Sequence, residues 1–292
     1  MRNLKANLLE LVRRTSAELP DDVVQAIRRG ATQEQAGSSG GYAMNIITKN
    51  IDLAKLKSAP LCQDTGSILF FVRAPRDLDQ LAFEKAAGAA VAEATAKGYL
   101  RQNSVDSVTG KNTGNNLGPG SPSLHFAQHR GSRLDVRLIL KGGGCENVGA
   151  QYSLPDGRLN ANRDLEGVRK VILDAVVQAQ GKGCSPGILG VCIGGDRATG
   201  YLHSKEQLLR TMEEVNPDPT LAALEQDIVV SANKLGIGPM GFGGATTLLG
   251  CKLGALNRLP ASFFVSISYM CWAYRRQGFV LDADGKILKW LY

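Results

Sequence analysis

The chain has only three histidines, no Cys-x-x-Cys pair and no long apolar run, and each shortage closes a class of function. His125, His129 and His203 are not spaced with cysteines as in a zinc finger, and the segment SLHFAQ around His125 has strand character that separates His125 from His129 along the chain. Six cysteines in 292 residues are too sparse for a disulfide scaffold, so metal ligation or burial must explain them. No stretch approaches the roughly eighteen apolar residues needed for a membrane span. The first residues, MRNLKANLLELVRR, break up Leu4, Leu8, Leu9 and Val12 with charges, unlike a secretory signal. A soluble, cytoplasmic protein with reduced thiols is expected. Aromatic residues make up 6%, and the lysines and arginines behind the net charge of +7 are scattered, so neither a stacking stripe nor a basic tail points to nucleic acid. The surplus charge either steers small dianions or simply solvates the surface.

With 43% hydrophobic residues the chain can bury a sizeable core, and neither a repeat nor a linker divides it. One mixed α+β domain over residues 1–292 is expected, with a helical N-terminal segment followed by interspersed strands and helices. Residues 1 to about 57 read as helices, the second opened by Pro20-Asp21-Asp22 with Val23, Val24 and Ile27 on one face. The segment LCQDTG then precedes a buried strand at 68–72, residues 79–98 form a helix, and TGKNTGNNLGPGSPS at 109–123 forms an ordered surface loop. Alternation of Leu134, Val136, Leu138 and Leu140 predicts a half-buried strand ending in Gly142-Gly143-Gly144. Further on, a helix after Arg163 is broken by GKGCSPG, a strand covers 188–193, helices lie near 204–214 and 219–235, and strand-like runs follow at 247–253 and 262–268.

Gly236, Gly238 and Gly241 satisfy G-x-G-x-x-G, but a helix precedes them, Pro239 interrupts them and no acidic residue follows about twenty positions later, so no dinucleotide site is expected. Ala245 stands where a phosphate-binding loop needs lysine. The glycines instead let backbone approach something closely. Among the cysteines, Cys62 and Cys184 each sit in a polar loop directly before a strand, where thiolates that ligate iron are placed, whereas Cys192 and Cys251 lie in apolar runs. Cys145, after three glycines, is ambiguous, and spacing alone does not choose ligands from the six.

The motifs CQDTG (62–66), GKNTG (110–114), KGGG (141–144), GCSPGILGVCIGG (183–195), LGIGPMGFGG (235–244) and YMCWAYRR (269–276) resemble, in order and over nearly the whole chain, those of the class I fumarase and tartrate dehydratase alpha-subunit family. The resemblance implies an iron–sulfur hydro-lyase alpha-type domain holding a [4Fe–4S] cluster through Cys62, Cys184 and Cys271. It also places Gln63, Asp64 and Arg101 near a small dicarboxylate such as fumarate or malate, with a backbone donor from Gly143 or Gly144. Arg101 suits a two-point carboxylate clamp, Gln63 a neutral donor, and Asp64 an orienting or proton-relaying catalytic group.

Two departures stand out: Leu259 occupies a position where many relatives have histidine, and Ala245 one where they often have lysine. The family also uses a beta region, fused or separate, which has no counterpart in these residues. The resemblance therefore implies a beta-subunit partner, an alpha2beta2-type assembly and little activity for this chain alone. L-tartrate dehydratase alpha is the close alternative to fumarate hydratase, and a non-catalytic cluster-binding or regulatory subunit the alternative of another class.

Overall fold

A computed structural model describes residues 3–292. In chain order its elements are α1 (Leu4–Ala17), α2 (Asp21–Gln33), α3 (Ser39–Lys57), β1 (Ser67–Pro75), α4 (Gln80–Ala96), β2 (Ser123–His129), β3 (Leu134–Lys141), α5 (Gly143–Asn147), β4 (Ala150–Ser153), α6 (Leu165–Ala179), β5 (Gly187–Gly194), α7 (Arg197–Gln207), α8 (Pro219–Asn233), β6 (Leu248–Leu256), β7 (Phe264–Met270), β8 (Arg275–Leu281) and β9 (Ile287–Trp290). This is an α+β fold. Among the described residues no helix is long and apolar enough to cross a membrane.

The elements divide into two compact units. The first comprises Met1–Asp21, Lys49–Gly143 and Ala273–Tyr292. Its five-stranded sheet has the order β2-β1-β3-β8-β9, with β1 and β2 parallel and the other neighbours antiparallel. Helix α1 buries Leu4, Leu8, Leu11 and Val12, a helical stripe at intervals of three and four, against α4 and the sheet residues Phe70, Val72, Val136, Leu138 and Phe279. Helix α4 presents the small residues Ala87, Ala90 and Ala94 beside Phe83 and Val91, and Asp79 caps it by accepting from the Ala82 N–H at 3.0 Å.

The second unit comprises Asp22–Thr48 and Gly144–Trp272. Its four-stranded sheet has the order β4-β7-β5-β6, with β5 and β6 parallel. Every residue of β5, GILGVCIG, is buried, as a central strand covered on both faces requires. Helices α6, α7 and α8 pack on this sheet, and Val168, Ile172, Val176, Leu189, Val191, Ile228, Leu253, Val265 and Ile267 form its core. Asp164, Asp196 and Asp218 cap the three helices with their carboxylates, and Pro219 starts α8 where its missing N–H costs nothing.

Most expected elements form close to where the pattern puts them. Helix α7 is displaced: the pattern near 204–214 captures only its end, because Asp196 accepts from the Ala198 and Thr199 N–H groups and starts it earlier. The run YMCWAYRR carries no strand pattern, yet Arg275 opens β8, whose residues are all buried between β3 and β9.

Candidate active site

In the first unit, the segment Leu61 to Gly66 joins α3 to β1. Leu61 anchors it, its N–H donating to the Ser16 carbonyl at 2.9 Å. Gly66 closes it at φ +75°, where a Cβ would lie 2.2 Å from the Lys141 carbonyl oxygen, so only glycine fits. Between these anchors Asp64 accepts two short hydrogen bonds, one at 2.6 Å from Asn103 Nδ2 and one at 2.6 Å from the Gly143 N–H. The buried Thr65 hydroxyl donates to the Arg101 carbonyl and accepts from the Arg101 N–H, each at 2.9 Å. The segment 62–66, the Arg101 loop and the glycine run thus converge on two adjacent side chains.

Asn116, buried and at φ 62°, organises the opposite side of this site. Its Oδ1 accepts from the N–H groups of Asn103 and Ser104 at 2.8 and 3.1 Å, and its Nδ2 donates to the Arg101 carbonyl at 2.8 Å. Asp64, Asn103, Asn116 and Gly143 line a cavity of about 460 Å³. Gln63 and Arg101 are exposed and Asp64 half-buried, so polar groups face solvent from a rigid frame.

Three cations lie in the interior of the same unit: Lys141, Arg275 and Arg276 are each no more than 1% exposed. Arg276 stacks its guanidinium over the rings of Tyr274 and Tyr292, with centroids at 4.4 and 4.7 Å. Arg275 behaves differently, since among the described residues none of its three guanidinium nitrogens has a hydrogen-bond partner. Its Nη2 lies 3.9 Å from the point where a Cβ on Gly142 would stand, and Asp64 Oδ2 lies 3.1 Å from that point.

The second unit brings Cys184 and Cys271 to one place. Cys184 follows a short 3-10 turn and adopts a left-handed conformation, φ 55° and ψ 60°, uncommon for a residue with a side chain. Its carbonyl accepts from the Trp272 N–H at 3.3 Å, one residue after Cys271. Tyr269 stands beside both: burial raises its phenol well above the ordinary range, and the thiol groups of Cys271, Cys145 and Cys184 push in the same direction. Gly183 and Gly187 exist to admit that ring, because a Cβ on either would fall 2.5 or 2.3 Å from it. Cys145 Sγ lies 4.0 Å from the Gly183 carbonyl oxygen and is buried.

The glycine-rich run 235–244 supports this turn. Gly241 meets Gly181 so closely that a Cβ would lie 2.7 Å from its Cα, and Ser185 Oγ donates to the Gly238 carbonyl at 2.6 Å. The Ala245 and Thr246 N–H groups donate to the Glu34 carboxylate at 3.1 and 2.8 Å. A carboxylate therefore occupies the donors that a phosphate-binding loop would offer. Leu259, 73% exposed, makes no substitute for a polar contact. Cys192 and Cys251 are core residues of β5 and β6, and burial, with a smaller contribution from Glu206, pushes the Cys192 thiol up to about 12. Burial also raises the Cys251 thiol.

Of the residues singled out from sequence, Asp64, Arg101 and Gly143 meet in one unit, with Cys62 and Gln63 on the same segment. Cys184 and Cys271 meet in the other, where Gly144 approaches the turn before Cys184, a Cβ on it lying 3.3 Å from the Lys182 carbonyl oxygen. Among the described residues no three His, Cys, Asp or Glu side chains stand close enough to hold a metal ion. Sequence reasoning missed Thr65, Asn103, Asn116 and Arg275. The signal for Asn116 was an asparagine in a glycine-rich loop, where the left-handed region is accessible; buried Arg275 gave none.

Comparison with known proteins identifies the family. The family model described as fumarate hydratase (Fumerase) matches residues 5–280. A Geobacillus stearothermophilus protein named, provisionally, fumarate hydratase class I is 52% identical over 100% of this chain and 58% of its own length. The L(+)-tartrate dehydratase subunit alpha of Escherichia coli O157:H7 is 31% identical over 92% of this chain and 88% of its own. A Methanocaldococcus jannaschii protein provisionally named for the same subunit is 30% identical over 96% and 98%. The chain thus spans little more than half of the first relative and nearly all of the third. A family match from residue 5 to residue 280 takes in every motif of both units, and the chain belongs to the fumarate hydratase (Fumerase) family.

Proposed function

We propose that this chain is the alpha part of an iron–sulfur hydro-lyase, a fumarate hydratase that interconverts fumarate and L-malate. The observation that carries the reading is the convergence of the 62–66 segment, the Arg101 loop and Gly143 on Asp64 and Thr65, which fixes a carboxylate beside a solvent-facing cavity and the backbone of Arg101 next to it. The 52% identity to a relative named for this activity supports it.

Cys62, Cys184 and Cys271 would hold a [4Fe–4S] cluster. The donor chemistry supports this: Cys62 and Cys184 are partly exposed in loops and Cys271, though buried, lies in the segment between β7 and β8, whereas Cys192 and Cys251 are sealed in strands. A cluster with one iron lacking a protein ligand supplies Lewis acidity toward the hydroxyl and carboxylate of a 2-hydroxy acid. The chain's own side chains do the rest. Arg101 clamps the second carboxylate through its two-point fork, and Gln63 donates to substrate oxygen as a neutral amide. Asp64, held by Asn103 and Gly143, orients substrate or relays the proton at C3. Because the Gly143 N–H is engaged by Asp64, Gly143 serves as its holder and Gly144 as the backbone donor.

Residues 1–292 would act as one alpha-type domain in the cytoplasm, working with a beta partner in an alpha2beta2-type assembly. The names of two relatives as alpha subunits support a partner. They also support a second reading, L-tartrate dehydratase alpha, in which the same site takes a substrate with one more hydroxyl. The test is anaerobic reconstitution of the chain with iron, sulfide and a beta partner, followed by assays with malate, fumarate and both tartrate enantiomers. Malate turnover with a cluster lost in Cys62→Ala, Cys184→Ala and Cys271→Ala is the expected result. Cluster loss in Cys251→Ala instead overturns the ligand set.

A further inference from the structure

A buried guanidinium that makes no hydrogen bond is an unfinished arrangement. Arginine stays charged at any physiological pH, and taking it out of water without a partner is strongly unfavourable. Arg275 is 1% exposed, and among the described residues all three of its guanidinium nitrogens are unsatisfied. Three other buried or half-buried basic side chains have compensation. Arg210 bonds Glu214 and Glu225, Lys252 donates to the carbonyls of Met212 and Glu214, and Arg276 lies against two tyrosine rings. Among the described residues Arg275 has no such neighbour, although Asp64 is close. Both Asp64 oxygens are already engaged, by Asn103 and by Gly143, and the carboxylate faces those donors.

The location narrows what is missing. Arg275 Nη2 and Asp64 Oδ2 lie within 3.9 and 3.1 Å of one point beside Gly142, so the guanidinium reaches the candidate site from its buried side. Arg101 is exposed, its backbone clasped by Thr65. Gly142 of the glycine run and Asp64 of the segment 62–66 both adjoin that point. A negatively charged occupant there would find one cation already desolvated and fixed by the strand pairing of Arg275 with Leu140.

We propose that Arg275 is an anion-binding residue of this site, satisfied only when the site's negatively charged occupant is in place. Two occupants share that chemistry, each offering several acceptors to a guanidinium fork: a substrate carboxylate, and an iron–sulfur cluster whose sulfurs accept hydrogen bonds. The proposal deepens the hydro-lyase reading and rests on it for the identity of the occupant, but not for the existence of the anion site.

Its test exploits a reversal of sign. Removing an uncompensated buried charge does not destabilise an empty site, whereas removing the cation weakens the filled one. The full chain is prepared anaerobically as wild type, Arg275→Met and Arg275→Lys, each cluster-free and after reconstitution with iron and sulfide. Thermal midpoints are measured with and without L-malate, and iron and sulfide content is followed after gel filtration. The expected result is a cluster-free Arg275→Met midpoint equal to or above wild type. Its occupant should then bind about ten- to a hundredfold more weakly, with partial recovery in Arg275→Lys.

The arms separate the sources. Cluster loss in Arg275→Met assigns the residue to the cluster; a full cluster with the malate-induced midpoint rise lost assigns it to the carboxylate. If wild type takes up no cluster while malate still raises its midpoint through Arg275, the hydro-lyase reading fails and the anion site stands. A lowered cluster-free midpoint in both variants, with cluster retention and malate response unchanged, shows a structural strut and overturns the proposal.

Discussion

At the scale of single residues, the site depends on side chains held in place more than on side chains that are unusual. Arg101 is exposed, but its backbone is pinned on both sides by Thr65. A lysine there preserves charge and loses the planar fork, so Arg101→Lys is expected to lower kcat/KM for malate by about tenfold or more with cluster content unchanged. Unchanged kinetics would remove the clamp. Cys192 gives a pH prediction. Burial lifts its thiol from an ordinary 9.0 to about 12, so between those values the unfolded chain has lost a proton that the folded chain keeps. Stability then falls as pH rises from 9.0 toward 12, by up to about 1.4 kcal/mol per pH unit from this group. Urea midpoints of Cys192→Ala should decline less steeply with pH than those of the wild type over that window.

Legibility at this scale was uneven. Asp64, Arg101 and the three cysteines came from resemblance to family motifs, and the residues alone left the choice among six thiols open. Thr65 and Asn116 act through hydrogen bonds to backbone 15 to 36 residues away, a relation no local pattern carries. Arg275 is harder still, because an arginine reads as surface until the strand that buries it is known.

At the scale of elements, the segment before β1 shows how backbone shape sets chemistry. Gly66 combines a left-handed φ with a contact that leaves no room for Cβ. Gly66→Ala should cost about 3 kcal/mol or more, from conformational strain together with the clash against Lys141. It should also release Asp64 from Gly143. A chemical-denaturation curve superimposable on wild type would contradict that account. Helices with clear caps were legible, α8 above all, because Asp218-Pro219 is a local signal. Strand β8 was not: its two arginines break the apolar pattern, and only pairing with β3 and β9 makes them interior.

At the scale of the whole molecule, the proposed function is expected to need a beta partner. Asp64 is the one proton-transferring candidate among the residues singled out, and its oxygens are both engaged. Loss of a positioned base costs about a hundred- to ten-thousandfold in rate, so the reconstituted chain alone should show traces of malate dehydration and recover that factor with its beta partner. Full activity from the chain alone would make Asp64 a sufficient base. The α+β class was legible from the sequence, whereas the assignment of segments to two units was not, since each unit is discontinuous and no composition shift marks the crossings.

That discontinuity bears on how the chain is made. The first sheet places β8 against β3, strands whose residues lie some 140 positions apart, with the entire Gly144–Trp272 stretch translated between them. During synthesis β1, β2 and β3 leave the ribosome early, yet β3 keeps an open edge until β8 appears, while the four-strand sheet already has every strand it needs. The unit that begins first is therefore completed last. Arg275 arrives with that closing strand, so the buried charge beside Asp64 is installed only when β8 covers the exposed edge of β3.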